Sequence, residues 1–193
     1  VRTDFIAAQG CLNVSNLLYF PTLFSYPDNI GRDGKLYFTT KTHLHVLDKD
    51  RNNLKSYAIN SATNPLIGGN NPAITAGGNV VVCSESGLVE LDENLNEVWK
   101  YQTAKPLRYC DPAINPYNDN IYFTSKLEQS LITLNKKGEL LWTAPIYSSE
   151  SSPSIAPDGT IYIGSTNLDV PIAPTPLPPE KGTIQSNSFP GLL

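Results

Sequence analysis

The 193-residue sequence has no methionine and only two histidines, two tryptophans and three cysteines. Cys11, Cys83 and Cys110 are too few and too scattered for a disulfide framework, and none belongs to a C-x-x-C pair that would indicate a zinc or iron–sulfur site. No apolar run approaches the roughly 18–20 residues of a membrane-spanning helix, so we expect no transmembrane segment. Because neither methionine nor a signal peptide opens the chain, we expect it to be processed or part of something longer.

Positive charge is also scarce. Lys and Arg together number 14 against 18 Asp and Glu, which gives a formal net charge of −4, and the longest basic cluster is Lys136-Lys137. Binding to nucleic-acid phosphates requires clustered Lys and Arg side chains. The composition therefore argues against a nucleic-acid partner.

Residues that favour strands and turns are plentiful, with 10 Tyr, 16 Pro and 13 Gly. Aromatic residues favour pleated strands, and Pro and Gly favour tight turns. This composition predicts an all-β fold with many short connections.

An internal repeat of about 40 residues organises the chain. Its clearest markers are Pro72, Pro112 and Pro153, which lie 40 and then 41 residues apart. The aligned segments are residues 71–74 with 78–84, 111–114 with 120–125, and 152–155 with 159–165, and a divergent earlier copy has 27–30 with 33–40. Residues 43–48, 87–92 and 130–135 also align, and each is followed by a polar turn and then an aromatic residue: Tyr57, Trp99 or Trp142.

Each unit is predicted to form four short strands separated by turns, and four strands at this period form one blade of a β-propeller. A blade cannot bury both of its faces alone and must stack on its neighbours. Thr39, Cys83, Thr124 and Gly164 form a column of small residues that we expect to crowd toward the axis, with Cys83 as a buried packing residue. Pairing of Cys110 with Cys11 has no support in the sequence. The residues predicted to pack between blades are Ile30, Ile74, Ile114, Ile155, Trp99 and Trp142.

Two segments carry a resemblance to a known family. Residues 152–165, which read Ser-Pro-Ser-Ile and then Asp-Gly-Thr-Ile-Tyr-Ile-Gly-Ser, and residues 134–142, which end on Trp142, are similar to the repeat of pyrroloquinoline quinone (PQQ)-type β-propellers. The resemblance covers about residues 27–166. It identifies the repeat type and not an activity, because quinoprotein dehydrogenases and non-catalytic members share it. It implies a periplasmic, secreted or cell-surface protein.

The repeat predicts three segments: residues 1–26 as N-terminal strands that complete the last blade, 27–169 as propeller repeats, and 170–193 as a proline-rich loop or tail. Three units are whole, and the fourth stops after Ser165. Three arrangements fit this count: a small ring, part of a larger propeller, or a ring closed by association of chains.

Residues with chemical potential are few. His43 and His45 lie two apart on one predicted strand and do not recur in the other units, which favours ordinary strand histidines over catalysis or metal binding. Asp48 and Asp92 recur beside turns, which favours turn capping. A PQQ site would need acidic and amide groups around calcium together with basic residues. Its candidates are Arg108, Asp111 and Asn115.

The leading hypothesis is a non-catalytic propeller that serves as a binding or assembly module, with a protein partner or with self-association that closes the ring. One alternative is a fragment of a PQQ-dependent dehydrogenase with bound calcium. Another is a carbohydrate- or cell-surface-binding propeller, in which exposed tyrosines stack on sugar rings. The tyrosines proposed for that role are Tyr19, Tyr109, Tyr117 and Tyr147.

Overall fold

A computed structural model of the chain describes residues 29–31, 33–50, 54–60, 70–146, 151–164 and 184–187. Every regular element in these residues is a β-strand, and the strands form four sheets that follow the predicted repeat. Blade 1 contains β1 (Asn29–Ile30), β2 (Leu36–Thr39), β3 (His43–Leu47) and β4 (Leu54–Ala58). Blade 2 contains β5 (Ala73–Ile74), β6 (Val80–Ser84), β7 (Gly87–Leu91) and β8 (Glu97–Gln102). Blade 3 contains β9 (Ala113–Ile114), β10 (Ile121–Ser125), β11 (Ser130–Leu134) and β12 (Leu140–Pro145). Blade 4 contains β13 (Ser154–Ile155), β14 (Ile161–Gly164) and β15 (Ile184–Asn187).

Blades 1 to 3 are antiparallel sheets whose strands pair in chain order. Blade 4 begins in the same way, but its third strand, β15, pairs parallel to β14. Residues 184–187 belong to the segment predicted to be a proline-rich loop or tail. The predicted N-terminal strands at 1–26 lie outside the described residues.

The blades stack through apolar clusters, one at each interface between neighbouring blades. Because successive side chains of a strand point to opposite faces, one strand serves two interfaces. In β6, Val80 and Val82 pack toward blade 1, whereas Val81 and Cys83 pack toward blade 3. The chain therefore forms an all-β, partial propeller.

The isoleucines of the first strand in each unit pack toward the preceding blade. Ile74, Ile114 and Ile155 contact the clusters between blades 1 and 2, 2 and 3, and 3 and 4, respectively. Ile30 differs from the prediction that it packs between blades, because it is 65% exposed. The described residues include no blade before blade 1, so the surface that Ile30 would contact is absent from this part of the chain.

The tryptophan column packs in the opposite direction, toward the following blade. Trp99 contacts the cluster between blades 2 and 3, and its Nε1 donates to the carbonyl oxygen of Lys136 at 3.2 Å. Trp142 contacts the cluster between blades 3 and 4 and lies 6.1 Å from the ring of Tyr122.

Candidate functional site

Neighbouring blades are joined at one repeated position. A residue of the second strand in one blade contacts the residue that lies two positions before the repeat proline of the next blade. Between blades 1 and 2, Thr39 Oγ1 contacts the carbonyl oxygen of Asn70 at 2.5 Å. Between blades 3 and 4, Thr124 Oγ1 donates to the carbonyl oxygen of Ser151 at 3.4 Å. The same position between blades 2 and 3 holds a Cys83–Cys110 disulfide, with 5.9 Å between the Cα atoms. We call these three contacts the inter-blade seam.

The disulfide corrects the expectation that Cys83 serves as a packing residue alone. Cys83 is fully buried, as a packing residue would be, but its sulfur is bonded to Cys110. Cys110 is therefore not available to Cys11, which lies outside the described residues. The repeat alignment places Cys83 in the same column as Thr39 and Thr124. To predict the Cys83–Cys110 pairing from the sequence, a second column would also have to be aligned. That column contains residues 70, 110 and 151, which each precede a repeat proline by two positions.

Asn70 links three blades at the seam. Its backbone N–H donates to Thr39 Oγ1 of blade 1 at 3.0 Å, and its Nδ2 donates to the carbonyl oxygen of Cys83 in blade 2 at 3.4 Å. Its Oδ1 accepts from the backbone N–H of Cys110, which leads into blade 3, at 3.2 Å. Asn70 is buried, and these bonds satisfy polar groups that would be costly to bury unpaired.

Asp111 forms a second link, between the residues that directly precede the repeat prolines. Its Oδ1 accepts from the backbone N–H of Asn71 at 2.7 Å. Its Oδ2 accepts from Asn71 Nδ2 at 3.1 Å and from Ser152 Oγ at 2.7 Å. Three successive repeats are thus joined through one carboxylate.

The predicted cofactor residues lie on both sides of β9 in the chain. Asn115 follows β9, where its Oδ1 accepts from the backbone N–H of Tyr117 at 2.8 Å and so caps a turn. Asp111 precedes β9, at the other end of that strand, and both of its oxygens are engaged by blades 2 and 4. Arg108 forms no ion pair with any other described residue. Asp111 and Asn115 are thus engaged in contacts within the propeller, and the described part of the chain contains no cluster of His, Cys, Asp or Glu that could hold a metal ion.

The histidines and the turn carboxylate have local structural contacts. The ring of His45 stacks on Phe38 with 5.0 Å between centroids, and burial, followed by the proximity of His43, lowers the pKa of His45. Asp92 Oδ1 accepts from the backbone N–H groups of Asn94 and Asn96, both at 2.8 Å. The bond from the Asn96 side chain, together with these backbone bonds, lowers the pKa of Asp92.

The loop that connects β8 to β9 displays an aromatic residue between two buried ones. Leu107 is 1% exposed and Cys110 is fully buried, whereas Tyr109 is 41% exposed. The backbone of Tyr109 is left-handed, with a φ of 50°. The sequence suggests Tyr109 only as a sugar-stacking residue.

A shallow cleft of about 330 Å³, with Thr75 and Asp119 among its lining residues, lies at the other ends of the first strands. It is lined by the isoleucine column of three blades, Ile30, Ile74 and Ile114, and by Pro116. Tyr117, on the same turn as Pro116, is 70% exposed. Tyr109 and Tyr117 therefore lie at opposite ends of β9, and Tyr19 and Tyr147 lie outside the described residues.

No protein-family model matches the chain, and no curated protein matches it by sequence. Solved structures do resemble it. Virginiamycin B lyase from Staphylococcus aureus superposes with a TM-score of 0.58 at 14% identity, over 75% of this chain and 50% of the lyase chain. BamB from Moraxella catarrhalis gives a TM-score of 0.54 at 14% identity, over 72% of this chain and 39% of that one. Hydrazine synthase from Kuenenia stuttgartiensis gives 0.52 at 14% identity, over 68% and 39%.

The chain thus spans half or less of the length of these structures. BamB and the lyase are β-propeller-type proteins, which agrees with the blades described above. At this level of identity the likeness concerns the fold alone. Among the described residues, no helix has the length and apolar character needed to cross a membrane.

Proposed function

We propose that this chain is part of a non-catalytic, PQQ-like β-propeller that binds a protein partner and acts outside the cytoplasm. The observation that best supports a binding role is that Asp111 joins neighbouring repeats through hydrogen bonds. Its carboxylate, one of the three cofactor candidates in the sequence, joins Asn71 and Ser152 of neighbouring repeats. The polar groups at this end of the blades make a rigid support, and rigid supports position loops for recognition.

The location outside the cytoplasm is supported by the Cys83–Cys110 disulfide. Such bonds form and persist in oxidising compartments and are rare in the reducing cytoplasm. The resemblance of the repeats to PQQ-type propellers points to the same compartments.

We also propose that further blades, or a second chain, complete the ring. In blades 2 and 3 every residue of β6 and β10 is buried, because both faces of these strands are covered. In blade 4 only Ile161 and Ile163 of β14 are buried, and Tyr162 on the other face is 45% exposed. A propeller that continued past blade 4 would cover this face.

Three assays on the full chain discriminate among the candidate functions. A phage-displayed library of random peptides is panned against the immobilised protein, a glycan array is probed, and dye reduction and melting are measured with added PQQ and calcium. We expect enriched peptides, no glycan binding, no dye reduction and no thermal shift with PQQ. Dye reduction or glycan binding without any enriched peptide would contradict the proposal.

A further inference from the structure

Tyr109 has a backbone conformation that bulky residues rarely adopt. A φ of 50° places Cβ close to the following carbonyl oxygen, so this region is populated chiefly by glycine, asparagine and aspartate. The sequence has Gly69 at the equivalent position one repeat earlier. Tyrosine therefore stands in blade 3 where glycine would satisfy the backbone. Leu95, Asp119 and Gln129 have the same left-handed conformation in turns within a blade, whereas Tyr109 lies in the loop between two blades and exposes its ring. Strained residues are also found at binding sites.

The loop around Tyr109 is held rigidly on both sides. Leu107 is buried, and its backbone N–H donates to the carbonyl oxygen of Glu85 at 3.2 Å. Cys110 is fixed by the disulfide and by its backbone N–H, which donates to Asn70 Oδ1. Because the loop is already ordered, a partner that binds Tyr109 would pay little conformational entropy for ordering it.

Arg108, the preceding residue, supplies a charge that the described part of the chain leaves without an ion pair. A guanidinium binds a carboxylate through two parallel hydrogen bonds. Tyrosine and arginine are also the residue types most enriched at the energetic centres of protein–protein interfaces.

From these observations we propose that Arg108 and Tyr109 form the contact site for a protein partner that presents an Asp or Glu side chain beside an apolar residue. This assignment rests on the proposed binding function and names the residues that perform it. The ring of Tyr109 would pack on the apolar residue while Arg108 pairs with the carboxylate.

The test uses the peptides selected from the random library and compares Tyr109→Gly, Arg108→Ala and Tyr117→Ala with the native chain. Tyr117 is an exposed tyrosine at the opposite end of β9, so its replacement is the matched control. We expect Tyr109→Gly and Arg108→Ala each to weaken peptide binding about tenfold or more, and Tyr117→Ala to leave it unchanged. Glycine accepts the left-handed backbone, so the melting temperature of Tyr109→Gly is expected to stay within about 4 °C of the native value.

Two outcomes would overturn the assignment separately from the proposed function. If peptides bind and Tyr109→Gly leaves their affinity unchanged, the propeller is a binding module whose site lies elsewhere. If Tyr109→Gly lowers the melting temperature by much more than about 4 °C, the ring has a structural role and the assignment fails. If no peptide is enriched, or only glycans bind and Tyr109→Gly abolishes that binding, the protein partner itself is excluded.

Discussion

Leu95 and Gly138 occupy the same turn position in blades 2 and 3, between the third and fourth strands. Both have left-handed backbones, with φ of 66° and 77°. Leu95 and Tyr57 both pack against the cluster between blades 1 and 2, whereas a Cβ atom on Gly138 would lie 2.5 Å from ring carbons of Trp99. The glycine at this position in blade 3 thus leaves room for the Trp99 ring.

Replacement of Gly138 by Ala tests this contact. The new methyl group would overlap the Trp99 ring and also meet a left-handed φ, so we expect a loss of stability. Gly78→Ala is the control, because Gly78 has a φ of 93° and no atom lies within 4 Å of the place that its new methyl group would take. The free energy of unfolding in urea should fall by about 1–3 kcal/mol more for Gly138→Ala than for Gly78→Ala. Equal losses in the two variants would show that the ring does not constrain this position.

His45 gives the protein a defined sensitivity to acid. Burial lowers its pKa in the folded chain, so near and below the unfolded pKa of about 6.5 the unfolded chain binds more protons. Stability should therefore decrease as the pH falls through this range. The aligned residue in blade 2 is Val89, so His45→Val removes the titrating group and keeps a residue that the repeat accepts. We expect unfolding midpoints measured from pH 8 to pH 5 to fall less in His45→Val than in the native chain. An identical pH dependence in both would assign the acid sensitivity to other groups.

At the scale of the element, the seam shows two chemical solutions to one structural requirement. Thr39 and Thr124 bond to the backbone of the next repeat, and Cys83 reaches the same place through a covalent bond. A disulfide adds stability chiefly by constraining the unfolded chain, whereas a single hydrogen bond contributes much less.

The seam predicts how the disulfide can be replaced. Removal of both cysteines as Cys83→Ala with Cys110→Ala should lower the free energy of unfolding by about 2–5 kcal/mol. The pair Cys83→Thr with Cys110→Ser copies the contact between blades 3 and 4, so it should recover about 0.5–1.5 kcal/mol of that loss. Denaturation in guanidinium chloride under non-reducing conditions measures both variants. No recovery in the Thr–Ser pair would mean that the three positions are not equivalent.

The sequence was informative about these elements wherever the repeat was complete. The strands of blades 2 and 3 follow from short apolar runs and from the turn residues between them, because both signals are local. The position of β15 could not be predicted, since no repeat partner exists for residues 184–187 and parallel pairing depends on distant contacts. The roles of Asp111 and Asn115 were also hidden. A carboxylate that joins blades and one that binds a ligand have the same appearance in a sequence, and only their partners separate them.

At the scale of the whole molecule, the described blades form part of a propeller whose first strands approach one another. Two columns of side chains show how the blades stack. Ile74, Ile114 and Ile155 pack toward the preceding blade, and the aromatic residues of the fourth strands pack toward the following one, namely Tyr57, Trp99 and Trp142. Ile30 and Tyr162 mark the two ends, where large apolar side chains are exposed. The binding role proposed for Tyr109 depends on this stacking, because its loop is held by Asn70 and Cys83 of the preceding blade.

New disulfides at the seam test the stacking of the blades most directly. With Cys11 replaced by Ser, we expect the pairs Thr39→Cys with Asn70→Cys and Thr124→Cys with Ser151→Cys each to form a second disulfide beside Cys83–Cys110, detected by mass spectrometry of peptides from the non-reduced protein. The pair Thr39→Cys with Ser151→Cys joins blades that are not neighbours and should keep two free thiols. If the two seam pairs remain free thiols while Cys83–Cys110 forms, the blades do not stack through one repeated position and the account of the propeller is contradicted.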